Sequence, residues 1–169
     1  SGAAADLPVP GRIAALQAMR DRQEASVRGA ALAALDSPDA ELRKAGLQTL
    51  VCAAGGEDVK HLALLAASDP SEDIREAAFE TLRLMRHPET EAAILGLLSN
   101  ETTRTPRLVR AAFARRSAAF VPAFLAAAES SDAAVRRAAL EALEVMAPPE
   151  QAEALVSLLA KSTPGEERE

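Results

Sequence analysis

The chain of 169 residues has no tryptophan, no tyrosine, one cysteine and only two histidines. Each shortage excludes something. Without Trp or Tyr there is little to stack bases on and no large aromatic hot spot. A single Cys52 forms no internal disulfide, which excludes a disulfide scaffold and fits a reducing compartment. At the end of a helix it reads as a small core hydrophobe. His61 and His87 have no second ligand at metal spacing, so neither metal nor cofactor is expected. No apolar run reaches the ~18–20 residues that span a bilayer. The densest, 118–128, is interrupted by Pro122. Gly55-Gly56 stands alone and makes no phosphate loop. There is no Gly-x-Ser-x-Gly elbow and no Cys/His constellation, so no catalytic residue is expected. The formal net charge of −6 denies the chain the overall basic footprint of a nucleic-acid binder. Residues 1–10 carry no basic stretch leading into an apolar one, which with the lone thiol favours a cytoplasmic setting.

Alanine, by contrast, is abundant, with 40 residues. Together with Leu, Glu and Arg it gives a composition that helices accommodate at little cost, while strand formers are scarce. One pattern recurs: Leu42-Arg43-Lys44-Ala45-Gly46-Leu47, Ile74-Arg75-Glu76-Ala77-Ala78-Phe79, Leu108-Val109-Arg110-Ala111-Ala112-Phe113 and Val135-Arg136-Arg137-Ala138-Ala139-Leu140. The copies are 32, 34 and 27 residues apart. Apolar positions such as Ile74, Ala77, Phe79 and Leu82 fall on one stripe of a helix. A further helix precedes each copy, over about 24–35, 58–67, 91–98 and 121–129. Others are expected over 12–22 and 151–161. Asp39, Ser71 and Ser131 read as helix N-caps. Gly55-Gly56, His87-Pro88 and Pro148-Pro149 separate the pairs. These spacings predict an all-α protein, an α-solenoid of stacked antiparallel helix pairs sharing one core. The boundaries are a flexible segment over 1–10, one domain of about four helix pairs plus end helices over 11–161, and a flexible acidic tail over 162–169. Ala77-Ala78, Ala111-Ala112 and Ala138-Ala139 are where repeats should touch.

The run Phe120-Val121-Pro122-Ala123-Phe124-Leu125 followed by Val135-Arg136-Arg137-Ala138-Ala139-Leu140-Glu141-Ala142-Leu143 resembles a HEAT repeat, in the short bacterial form of the phycobilisome lyases. The third copy departs from the pattern, because Arg115 and Arg116 replace its apolar end and should stop that helix early. The resemblance implies that the Arg after the β-branched residue pairs with an Asp in the preceding turn. That would join Arg75 to Asp69, Arg43 to Asp36 or Asp39, and Arg136 to Asp132. It also implies that the second helices line the concave face.

Stacking would then align Lys44, Glu76, Arg110 and Arg137 in one row, with Gln48, Glu80, Ala114 and Glu141 in the next. Residues 101–116 hold five arginines and one glutamate, a basic band inside an acidic chain. Arginine forks bind oxyanions in two-point fashion, so the band suits an acidic peptide, a phosphate or a carboxylate. The function expected is a non-catalytic protein–protein interaction or scaffold domain whose concave face holds a protein or peptide segment. The contact residues would be Lys44, Glu76, Arg107, Arg110, Arg137 and Glu141. An anion or nucleic-acid binder centred on the Arg band is the alternative. A HEAT-type bilin lyase or an alkyl-base DNA glycosylase comes third, since such a glycosylase would use aromatics this chain lacks. Phe113, Phe120 and Phe124 are expected in the core rather than at a partner.

Overall fold

The computed structural model describes residues 7–146. The helix expected over 151–161 and the tail over 162–169 lie outside the described residues, as do the first six positions of the 1–10 segment. The elements are α1 (Val9–Asp21), α2 (Val27–Leu35), α3 (Ala40–Ala53), α4 (Val59–Ser68), α5 (Glu72–Leu84), α6 (Thr90–Leu98), α7 (Pro106–Ala114), α8 (Val121–Ala127) and α9 (Ala133–Met146). Short 3-10 turns, Gly56–Asp58 and Ala118–Phe120, lead into α4 and α8. No strand occurs among the described residues. The all-α expectation holds, and the helices follow the expected order. Two compact units divide after Gly96, inside α6.

In the first unit, α2 pairs with α3 and α4 with α5, while α1, α3 and α5 pack side by side as one layer. Connections of a few residues make paired helices antiparallel. Leu42, Leu47, Leu50, Leu62, Ile74 and Leu82 are fully buried between them. In the second unit, α9 packs on both α7 and α8, around buried Leu108, Val109, Phe120, Phe124 and Val135. Of the alanine pairs, Ala78, Ala111, Ala112, Ala138 and Ala139 are buried and Ala77 is half-buried.

Gly46 occupies the position of Ala78, Ala112 and Ala139 in its own repeat. A Cβ there would lie 2.8 Å from the carbonyl oxygen of Ala31 and 3.1 Å from Ala34 Cβ. The nearest atom is backbone and cannot swing aside, so glycine sets how closely α2 approaches α3. Helix preference favours Ala over Gly by about 1 kcal/mol, whereas overpacking costs about 1–3 kcal/mol. Gly46→Ala should therefore lower stability on balance. Gly29 on α2 has nothing within 4 Å of such a Cβ, so Gly29→Ala should raise stability by about 0.5–1 kcal/mol. Urea midpoints shifting in the same direction for both variants would refute this packing.

The turns before the second helices share one grammar. Asp39 Oδ1 accepts from the Leu42 N–H at 2.9 Å, Thr105 Oγ1 from Leu108 N–H at 3.2 Å, and Asp132 Oδ1 from Ala134 and Val135 N–H at 2.7 and 3.2 Å. These side chains satisfy orphan donors of the first helical turn. Two residues earlier, Ser37, Asp69 and Ser130 accept from the N–H of Asp39, Ser71 and Asp132. The cap of α9 is thus Asp132, not Ser131, whose hydroxyl and N–H donate to Glu101 Oε1 instead. Ser71 precedes α5 as expected but its hydroxyl makes no cap bond.

The ion-pair expectation needs correction in each repeat. Arg75 donates to the carbonyls of Asp69 and Pro70 and pairs with Glu72. Arg136 likewise donates to the carbonyls of Ser130 and Ser131, at 2.8 and 2.9 Å, rather than to Asp132. Both arginines clamp the turn behind them, because its last carbonyls have no helical partner. Arg43 pairs with neither Asp36 nor Asp39. Its Nη2 reaches Asp69 Oδ1 at 2.7 Å, in the turn of the next repeat. The Asp69 carboxylate therefore ties two repeats together through Arg43, while Arg75 takes only the backbone carbonyl of Asp69 within its own repeat.

A second inter-repeat tie was not foreseen. Arg28 on α2 forks onto Asp58, with Nε–Oδ2 at 2.8 Å and Nη2–Oδ1 at 2.6 Å. Asp58 Oδ2 also accepts from Gly55 N–H at 2.8 Å. Helix α7 ends after nine residues, against 14, 13 and 14 for α3, α5 and α9. Arg115 follows it and Arg116 sits at a φ of 57°, as the early stop expected. The Arg116 guanidinium lies 4.3 Å above the Phe113 ring. Phe113 is half-buried, whereas Phe120 and Phe124 are wholly inside.

Candidate partner-binding face

Each proposed contact residue lies on a second helix of its repeat: Lys44 on α3, Glu76 on α5, Arg107 and Arg110 on α7, and Arg137 and Glu141 on α9. Glu76, Arg110, Arg137 and Glu141 are exposed, while Lys44 and Arg107 are half-buried. The first unit contains Lys44 and Glu76, and the second contains the other four.

Lys44 is already engaged. Its Nζ donates to Asp73 Oδ2 at 3.0 Å, across from α3 to α5, and to Glu41 at 3.4 Å. The hydrogen bond to Asp73 and then that to Glu41 raise the lysine pKa. Arg110 is the counterpart of Lys44 two repeats on, and the counterpart of Asp73 is Ala134. Helices α7 and α9 are in contact, as α3 and α5 are, and by alignment of the repeats the position that supplies the acid in the first unit is alanine in the second. Among the described residues, Arg110 and Arg137 make no ion pair.

The basic band is chemically uneven. Arg104 donates to the carbonyls of Leu98 and Ala126, at 2.7 and 3.1 Å, and so holds the 99–105 connector to α8. It takes over the turn-clamping role that Val109 leaves vacant in the third repeat. Arg116 covers Phe113. Glu101, the one acid of the band, is turned to Ser131. The backbone N–H of Ser131, its hydroxyl and the charge of Arg104 hold the Glu101 carboxyl below its ordinary pKa. The band is thus part scaffold and part surface, and the surface part is centred on Arg110.

Two open hollows lie in the first unit. One, of about 570 Å³, is lined by Val51, Cys52, Ala53, Ala54, Leu84, Arg86 and His87. The other, of about 420 Å³, shares Cys52 and Ala53 with it. Cys52 is exposed, contrary to the core position expected for it. Leu50 and Ala54 are buried and Val51 and Ala53 half-buried, so Cys52 takes the outward side of this last turn of α3. Among the described residues no group of three His, Cys, Asp or Glu is placed to hold a metal. No helix among them is long and apolar enough to cross a membrane.

Residues 120–148 match the family model of the HEAT repeat. The match begins at the end of the 3-10 turn and takes in α8, the Asp132 cap and α9, the segment whose sequence carried the resemblance. HEAT repeats generally mediate contacts between proteins. No curated protein matches the chain.

Proposed function

We propose that this HEAT-repeat chain is a non-catalytic interaction module that holds an acidic segment of a partner protein against its second helices. Lys44, Glu76, Arg107, Arg110, Arg137 and Glu141 are the proposed contacts, and Arg110 and Arg137 are the anchors. The observation that carries this reading is the Lys44–Asp73 bridge of the first unit, for which the aligned pair in the second unit is Arg110 and Ala134. A guanidinium presents five donors and cannot be deprotonated, so an exposed arginine with no counter-ion among the described residues suits carboxylates. The proposal treats residues 11–161 as one repeat domain and takes the short, phycobilisome-lyase-like repeat as its type, in keeping with spacings of 32, 34 and 27 residues.

A twelve-residue poly-glutamate peptide and a DNA duplex, both fluorescently labelled, distinguish the readings by anisotropy at low salt. The double variant Arg110→Glu/Arg137→Glu is expected to weaken peptide binding about tenfold, since each exposed pair contributes up to about 1 kcal/mol. Ala134→Asp should install the missing bridge and weaken the peptide several-fold while leaving the thermal midpoint unchanged or higher. Tighter binding to the duplex, with a steep salt slope, would replace this reading with the nucleic-acid one. Peptide affinity indifferent to both variants would overturn it.

A further inference from the structure

We propose that the hollow at the C-terminal ends of α3 and α5 holds a short extended peptide in which a large apolar side chain adjoins a carboxylate. Three features of the hollow point to that occupant. Its floor is apolar, made by Val51, Ala53, Ala54 and Leu84, and Leu84 is 41% exposed. Water over that floor is displaced favourably by an apolar side chain. Among the described residues its one charged lining group is Arg86, beside His87, and no acid lines it. Arg86 is exposed and makes no ion pair among the described residues. His87 accepts the Glu89 N–H on Nδ1, which leaves Nε2 for a ligand. The third feature is the end of α3 itself. The Ala54 N–H bonds Leu50, and the carbonyls of Val51, Cys52 and Ala53 accept no backbone N–H among the described residues. Helix-end carbonyls of this kind need donors, and an extended peptide backbone supplies N–H groups at regular spacing.

Charge and polarity are therefore complementary to one chemistry: apolar side chain to floor, carboxylate to Arg86, peptide N–H to the end of α3. The hollow is open to solvent and of about 570 Å³, which suits a segment laid across it rather than an enclosed ligand. The adjoining hollow shares Cys52 and Ala53 and is lined further by Arg20, Glu24 and Arg28, two cations to one acid, so a track past Cys52 would have room for several residues. This site is separate from Arg110 and Arg137 and does not depend on the function proposed for them.

Cys52 is the sole cysteine and lies in the track, so its alkylation by iodoacetamide, followed by mass spectrometry on the whole chain, reports occupancy. The probe is an acetylated, amidated hexapeptide of alternating Glu and Leu. At saturation it is expected to slow alkylation about tenfold, a factor equivalent to 1.4 kcal/mol. The matching Lys/Leu and Glu/Ser peptides should leave the rate unchanged. Arg86→Glu combined with His87→Glu should raise the half-protecting concentration about tenfold, with the helical circular dichroism retained. Arg110→Glu should leave protection intact. An unprotected thiol at millimolar Glu/Leu peptide, equal protection by the Lys/Leu peptide, or protection that survives Arg86→Glu/His87→Glu would each overturn the proposal.

Discussion

Truncation of Phe124 to alanine should destabilise the protein by about 3–5 kcal/mol, the range for removing a buried aromatic side chain. Phe124 is wholly buried and lies 6.0 Å from Phe120, the two rings inclined by 30°. The pair contributes beyond its buried area, by about 0.5–1.5 kcal/mol. Helix α8 has only seven residues, too few to persist on its own hydrogen bonds. It is held in place by what it buries against α9, and Phe124 is its largest buried side chain. The facing helix α9 buries mainly alanines, Ala138, Ala139 and Ala142, whose side chains are too short to reach into a void. With no Trp or Tyr to report unfolding, circular dichroism at the helix band in a urea series measures the effect. Leu125→Ala, at a half-buried position, is the control and should cost much less. Equal losses for the two variants would contradict the burial of Phe124.

The second large effect is expected at Asp58. Asp58→Ala should lower stability by about 2–3 kcal/mol, through the loss of charged hydrogen bonds and the orphaning of a buried donor. The Asp58 side chain is 6% exposed. Its removal leaves the buried Gly55 N–H without its acceptor. Arg28, at 38% exposed, can turn to Glu57 at 3.0 Å or to water, which keeps the loss below that of a fully buried pair. Asp58→Asn retains an acceptor and should cost less.

The same carboxylate gives a pH signature. Burial pushes the Asp58 pKa up, but the Arg28 fork, the Gly55 N–H and the charges of Arg28 and His61 more than offset it, so the net shift is downward. A folded-state pKa below the unfolded value of about 3.9 contributes stability above that value. The contribution is lost as pH falls through the folded pKa. The urea midpoint of the native chain should therefore drop more steeply below pH 4 than that of Asp58→Asn. Parallel acid limbs for the two proteins would show that the pair is not ionic.

How much of this was legible in the sequence follows a physical boundary. Helix positions, the early stop at Arg115-Arg116 and the cap Asp39 depend on residues within one or two turns of each other. A cap side chain meets the same orphan N–H groups at the start of any helix. Even there the resolution was about one residue, since Ser131 and Asp132 both offer an oxygen and only backbone direction chooses. The turn-clamping roles of Arg75 and Arg136 are local too. They were misassigned because an acid and a carbonyl lie within the same reach, and the sequence displays only the acid.

Alanine content, repeat spacing and the stripe of apolar positions determined by themselves that this is an all-α protein of paired helices. They did so because helical periodicity and close-packing residues act along the chain. The tertiary structure alone decided which charges meet. Arg43 with Asp69, Arg28 with Asp58 and Lys44 with Asp73 join residues 26 to 30 positions apart. These pairings depend on the stagger and rotation of packed helices to within an ångström or two. The same packing leaves Cys52 at the surface, where its place at the end of a helix predicted a core position, because exposure is decided by neighbouring helices and not by position along one helix.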